Sequence, residues 1–119
     1  MSYVDGFVLP IPKDKIDAYR EMADKAAVVW KEHGALQYVE ALGDDLEIEN
    51  VFPFTKLGAV QEGETVVFAW ILYKSREHRD EVNKKVMADP RIKGMCGSED
   101  MPFDFKRMAY GGFTAIVEA

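Results

Sequence analysis

The order in which hydrophobic periods succeed one another constrains this chain most. A period of two gives way to a helical period and returns to two, and then the same series repeats. Residues 3–11 alternate, with Tyr3, Asp5, Phe7 and Leu9 on one side and Val4, Gly6 and Val8 on the other, and Pro10 and Pro12 close the segment. From Ile16 the apolar positions step by threes and fours through Tyr19, Ala23, Ala26 and Trp30, which predicts a helix capped by Gly34. Alternation resumes over 35–42, where Leu36, Tyr38, Glu40 and Leu42 oppose Gln37, Val39 and Ala41. Residues 65–73 set Val66, Phe68, Trp70 and Leu72 against Val67, Ala69 and Ile71; both sides are apolar, so this strand belongs inside a sheet. Ser75 is the expected N-cap of a second helix reaching about Ala88, with His78, Val82 and Val86 on one line. Asp89-Pro90 stops it, and residues 90–95 are expected as one more helical turn. The last strand is expected over 107–117, with Gly111-Gly112 marking a bulge or a close backbone approach. Residues 46–63 fit neither period, and Phe52-Pro53-Phe54 within them is expected as a short edge strand.

Two strand–helix–strand units in series, joined by right-handed crossovers, interleave into one four-stranded antiparallel sheet of order 4-1-3-2. The predicted fold is an α+β domain of βαββαβ order spanning residues 1–119, with both helices on one face. The smooth Val4, Gly6, Val8 and Val67, Ala69, Ile71 sides are expected to receive the helices. Tyr3, Asp5, Phe7, Tyr38, Glu40, Phe68 and Trp70 then fall on the opposite face. Strands of this length make a face of about 450 Å² at the usual rise and spacing. That is near the limit of what a monomer leaves wet. The expectation is a homodimer closing two such faces around an inter-sheet cavity. The alternative is a monomer whose residues 46–63 fold over the face.

Composition excludes several classes. The formal charge of −6 and pI near 4.9 oppose phosphate backbones and anionic lipid, so no nucleic-acid or membrane partner is expected. Lys13 and Lys15, like Lys84 and Lys85, sit among acids and read as solvated helix faces. The lone Cys96 allows no intrachain disulfide, which fits a reducing compartment, and Glu99 and Asp100 nearby disfavour a reactive thiolate. The opening residues lack a basic start and an apolar core, and no apolar run approaches the roughly 20 residues that span a bilayer. A cytoplasmic location is therefore expected. His33 and His78 have no metal-ligand spacing. His33 lies in the last turn of its helix, where a cation suits the dipole, and His78 is expected at the helix–sheet seam. There is no GxGxxG, P-loop, nucleophile elbow or CxxC, so neither a metal nor a cofactor is expected.

The chemistry-bearing candidates lie inside the strands. Asp5 and Glu40 interrupt apolar alternation, and an enclosed carboxylate must be paired, hydrogen-bonded or protonated. Strand four should neighbour strand one, which brings Arg107 or Tyr110 towards Asp5. The functional reading makes Asp5 a general base or a polar anchor, and the bland reading makes it a salt bridge that fixes register. Phe7, Tyr38, Phe68 and Trp70 are candidates for an aromatic ligand wall, although aromatics on a sheet face more often form core or interface. Asp89, Arg91, Asp100, Asp104, Lys106 and Arg107 read as a charged network holding the last loop down.

The opening Tyr3-Val4-Asp5-Gly6-Phe7, the run Thr65-Val66-Val67-Phe68-Ala69-Trp70, the stretch Met87-Ala88-Asp89-Pro90-Arg91 and the tail Met101-Pro102-Phe103-Asp104-Phe105-Lys106-Arg107-Met108-Ala109-Tyr110-Gly111-Gly112-Phe113 resemble the YbaA-like family of small bacterial proteins. The likeness covers nearly the whole chain. It implies a ferredoxin-like fold of the dimeric α+β barrel superfamily, whose members include cofactor-free monooxygenases, small-ring isomerases, haem-handling enzymes and ligand-sensing regulatory domains. It supplies no catalytic residues, and fold alone does not choose among these activities. The expected function is binding of a small organic molecule by a homodimer. If the protein is an enzyme, the expected reaction is cofactor-free oxygenation or isomerisation of a carbon acid, with Asp5 as base and Arg107 or Tyr110 stabilising the enolate. The rivals are a metabolite-sensing or protein-interaction module without chemistry, and a purely structural dimer.

Overall fold

The structure, a computed structural model, describes residues 1–95 and 101–119. Cys96 and the acidic pair Glu99 and Asp100 lie outside the described residues. Strand β1 (Tyr3–Pro12) leads through a 3-10 turn into helix α1 (Ile16–Glu32) and strand β2 (Gln37–Leu42). A single helical turn, α2 (Phe54–Leu57), precedes strand β3 (Glu64–Tyr73). Helices α3 (Arg76–Ala88) and α4 (Pro90–Met95) and a 3-10 turn at Phe105–Arg107 lead to strand β4 (Ala109–Thr114). The sheet is antiparallel with order β2-β3-β1-β4, as the interleaved units require.

Local chemistry accounts for most boundaries. Gly34 adopts φ +115°, where glycine alone is unstrained. Gly34 N–H then reaches the Lys31 carbonyl and Ala35 N–H the Trp30 carbonyl at 3.0 Å, a Schellman closure of α1. The Ser75 hydroxyl accepts from His78 N–H at 3.0 Å and starts α3. β1 runs through Pro10 to Pro12 because β4 ends beside Val8, and a proline is tolerated where a strand lacks one neighbour.

Three local expectations change. Phe52-Pro53-Phe54 is not an edge strand: Pro53 opens α2, and its carbonyl accepts from Lys56 and Leu57. β4 is shorter than 107–117, and Arg107 belongs to the preceding turn. No bulge interrupts Gly111-Gly112, since the register with β1 is continuous. Close approach is the reason for the glycine, because a Cβ at Gly112 would overlap the Tyr3 ring.

The larger correction concerns the faces. Opposed residues of an antiparallel pair share a face. Asp5 opposes Ile71 and Phe7 opposes Ala69, while Tyr38 and Glu40 oppose the same two β3 residues. Tyr3, Asp5, Phe7, Tyr38 and Glu40 therefore lie under α1 and α3 with Val67, Ala69 and Ile71, and Phe68 and Trp70 lie on the other side of the sheet. The core confirms this: Tyr3, Ile71 and Tyr73 pack with Ala26 and Val29 of α1 and Val82 and Val86 of α3. Leu9, Ile11, Val67 and Ala69 pack with Tyr19 and Ala23.

The opposite face carries Val4, Val39, Phe68, Trp70, Leu72 and Phe113. Its one charged residue among those described is Glu64, at the rim and paired with Arg107 at 2.7 Å. α2 covers one corner, with Phe54 edge-on to Phe68 at 5.9 Å and Gly58 against Val66. Phe68 stays 42% exposed. The chain is a slab of 38 × 38 × 20 Å, two layers thick with one broad side open.

Candidate functional site

Two rows of side chains crossing all four strands make the floor of a cavity of about 370 Å³ between the sheet and the helices. One row runs Glu40, Ala69, Phe7, Tyr110, and the next runs Tyr38, Ile71, Asp5, Gly112. Ala69 leaves room in the middle where its neighbours are large. The walls are almost wholly apolar, and every methionine except Met1 contributes to them: Met22, Met87, Met95, Met101 and Met108. Unbranched thioethers adapt their shape at low cost, which suits a wall meeting a ligand. Tyr110 stacks on Phe7 at 4.9 Å and remains 50% exposed at the mouth.

One end of the cavity is polar because of α3. Asp5 is 1% exposed, and its Oδ1 accepts from Arg79 Nη1 at 2.6 Å. The same Nη1 donates to the Tyr110 hydroxyl at 3.0 Å, while Arg79 Nε holds Asp80 at 2.7 Å. The guanidinium lies 5.0 Å over the Tyr3 ring, which fits beneath it because Gly112 has no side chain. Burial opposes the Arg79 charge, but Asp80 and Asp5 outweigh it and hold the pKa above the ordinary value. Asn83, one turn on, accepts from Trp30 Nε1 and from the Tyr73 hydroxyl at 3.2 Å each, and its amide faces Asp5 Oδ2 at 3.5 Å. Burial first, and then the Asp5 charge, push the Tyr73 and Tyr110 phenols up, so both remain protonated.

Glu40 anchors the other end. Its Oε1 accepts from Tyr19 at 2.6 Å and its Oε2 from Tyr38 at 2.7 Å. Both phenols are raised, first by burial and then by Glu40. Tyr19 meets Phe103 edge-on at 5.5 Å, and Tyr38 tilts against Trp30 at 5.9 Å. Strand spacing and rise put Asp5 and Glu40 about 12 Å apart. That is too far for two carboxylates to act on one atom.

Five of the residues singled out from the sequence meet in this cavity: Asp5, Phe7, Tyr38, Glu40 and Tyr110. Phe68 and Trp70 do not, since the sheet separates them from it; Trp70 Nε1 donates to Gln37 on the open face. Arg107 does not reach Asp5. It forks onto both oxygens of Glu64 at 2.7 Å and onto the Ala59 carbonyl at 2.9 Å. Arg79 takes the role expected of Arg107. Sequence reasoning passed over Arg79 and Asn83, and placed Tyr19 and Trp30 only as apolar positions of the first helix. A signal existed: α3 has a thin apolar stripe, and Arg79 and Asn83 flank it at i, i+4, so a polar strip faces inward. His78 stands at the seam as expected, its Nδ1 accepting from Lys74 N–H and its ring edge-on to Tyr73. His33 caps α1 and bonds Asp89 at 2.9 Å, and Arg91 ties Asp89 to Glu32. The charged network thus fastens α4 to α1, and Asp104 caps the 3-10 turn before β4. Among the described residues, no three His, Cys, Asp or Glu side chains cluster to hold a metal, and no helix is long and apolar enough to cross a membrane.

Fold and cavity define a ferredoxin-like α+β protein with an apolar pocket between sheet and helices. The chain belongs to a family described as proteins of unknown function, DUF1428, whose model matches residues 2–105. It is 52% identical over 118 residues, 99% of each chain, to "Uncharacterized protein YbaA" of Escherichia coli strain K12, and equally so to YbaA of Shigella flexneri. The YbaA-like resemblance read from the sequence therefore holds. Among solved structures the chain is similar to SnoaB, a cofactor-independent oxygenase from Streptomyces nogalater, with TM-score 0.62 and 9% identity over 98% of this chain and 95% of that one. It is also similar to an uncharacterized NIPSNAP domain protein from Burkholderia xenovorans, with TM-score 0.56 and 11% identity over 95% and 93%. At these identities the likeness is one of fold.

Proposed function

We propose that this protein is a homodimer whose protomers each bind a small, mostly apolar organic molecule in the sheet–helix cavity. The observation that carries the binding reading is the cavity itself. About 370 Å³ of apolar space is bounded by a few convergent polar groups, Asp5, Asn83 and Tyr110 towards one end and Glu40 at the other. This is the size and lining of small-molecule sites. The site differs from the one expected from sequence, because it lies inside each chain rather than between two sheets.

The open face supports the homodimer. The chain exposes 8046 Å², whereas a compact monomer of its mass exposes about 6500 Å². The face contributes to that excess, with Phe68 42% and Phe113 60% exposed. The face is apolar, and its one carboxylate is already paired.

The binding test uses N-phenylnaphthylamine, an uncharged fluorescent probe, with Trp30 emission as a second readout, since Trp30 lines the cavity and Trp70 does not. One probe per chain should bind, and Ala69→Leu should weaken binding by filling the floor. Unsaturable binding, or indifference to Ala69→Leu, sinks the reading.

A cofactor-free oxygenation or isomerisation of a bound carbon acid is a second reading. It is favoured by the fold shared with SnoaB and by the Tyr110 hydroxyl, which lines the cavity, accepts from Arg79 and keeps its own O–H for an enolate oxygen. The ion pair makes Asp5 a holder of Arg79 more than a base. A non-catalytic sensor is what remains if ligands bind without being changed.

A further inference from the structure

We infer that the ligand of this cavity is an organic cation, an amine whose ammonium group seats on Glu40 while its apolar body lies over Ala69 and Phe7. The inference deepens the cavity reading and rests on it. Charge accounting around the site carries it. Asp5 is answered by Arg79, Glu64 by Arg107, and Asp89 by Arg91. Glu40 is answered by two neutral phenols, which stabilise a negative charge without cancelling it. Among the described residues no Lys, Arg or His forms an ion pair with Glu40. Residues 96–100 contain no basic side chain to supply one. Arg20 shares with Glu40 the wall of a second cavity, of about 350 Å³, behind Tyr19 and Tyr38, yet it makes no ion pair with Glu40.

Each carboxylate oxygen of Glu40 accepts one hydrogen bond and has a second lone pair free for an N–H donor. A half-buried carboxylate without a counter-charge is unfavourable until a ligand ammonium supplies one. Tyr19 and Tyr38 bring rings beside it, backed by Phe103 and Trp30, and the faces of such rings attract a cation. The row from Glu40 to Tyr110 crosses three strand spacings, about 14 Å. Tyr110 at its end, its hydroxyl oxygen held by Arg79, offers its O–H to an acceptor oxygen at the ligand's far end. The ligand class is thus a lipophilic amine, with room for a hydroxyl or carbonyl group opposite the nitrogen.

The test is calorimetric titration of the whole chain with three probes of one shape: phenethylamine, phenethyl alcohol and hydrocinnamate. The amine should bind about tenfold or more tighter than the alcohol, with the carboxylate weakest. Glu40→Gln, which can still bond both phenols, should erase the amine's advantage and leave the alcohol within about twofold. Equal binding of amine and alcohol in the wild type overturns the inference, and so does an amine preference that survives Glu40→Gln. If that variant does not fold, the wild-type ratio alone decides. Should N-phenylnaphthylamine bind while none of the three does, the cation assignment falls and the cavity reading stands. Should nothing bind, both fall.

Discussion

The two faces of the sheet reverse the usual division between inside and outside. The face under the helices holds Asp5, Glu40, Tyr38 and Tyr110, while the face turned to solvent holds Phe68, Trp70, Val39 and Phe113. The covered face tolerates polar groups because α1 and α3 bring partners for them: Arg79 and Asn83 for Asp5, Tyr19 for Glu40. The open face carries little that is polar, Trp70 Nε1 bonded to Gln37 and Glu64 paired with Arg107 at the rim, and is otherwise apolar. A sheet layered this way separates two tasks. On the proposed reading, recognition is built where side chains from helices and strands converge, and assembly is left to a surface that needs only shape and apolar area.

The sharpest way to break this contrast is to remove the partner that makes a buried charge tolerable. Arg79→Ala should cost about 3–5 kcal/mol in urea unfolding, because Asp5 stays buried without a cation. Combining Asp5→Leu with Arg79→Met should recover most of that loss. If Arg79→Ala unfolds like the wild type, the pair does not support the covered face. A charge on the other side addresses assembly. Phe68→Asp should cost about 2 kcal/mol or more of association and leave particles of 13.5 kDa in sedimentation at micromolar concentration. A wild-type protein already of that size would remove the dimer from the account. A subtler change acts from beneath: Gly112→Ala would push the Tyr3 ring against Arg79 and should cost about 1–3 kcal/mol, read as a lower Tm.

The smallest effect is at the rim, where the faces meet. Hydrogen bonds from Arg107, and then the Gln61 N–H, pull Glu64 from 4.5 down to about 2. A carboxylate whose pKa is lower folded than unfolded stabilises fully above the unfolded value and loses that stabilisation as pH falls towards the folded one. The Tm difference between wild type and Glu64→Gln should therefore be constant above about pH 4.5 and close as pH drops towards 2. A difference independent of pH over that window would deny the pair its charge.

Much of the fold was legible because it rests on local patterns. Each strand and main helix follows from a run of periodicity, with Gly34 and Ser75 marking boundaries that the backbone obeys. The strand order follows from two crossovers of one hand. The site was legible in its parts: Asp5, Phe7, Tyr38, Glu40 and Tyr110 stood out as chemistry inside strands, and all five line the cavity. Their location was misread because small residues seemed the natural bed for helices. Phe52-Pro53-Phe54 was misread because a single turn leaves no periodic trace.

Alternation within a strand determines which residues share a side, so the sequence alone settled the main strands and helices, their order and the grouping of Asp5 with Phe7. Which sides of neighbouring strands coincide depends on register, and a slip of one residue exchanges every side chain between faces. That parity was decided by contacts far apart in the chain, such as Arg79 on Asp5, 74 positions away, and only the packed structure brings them together.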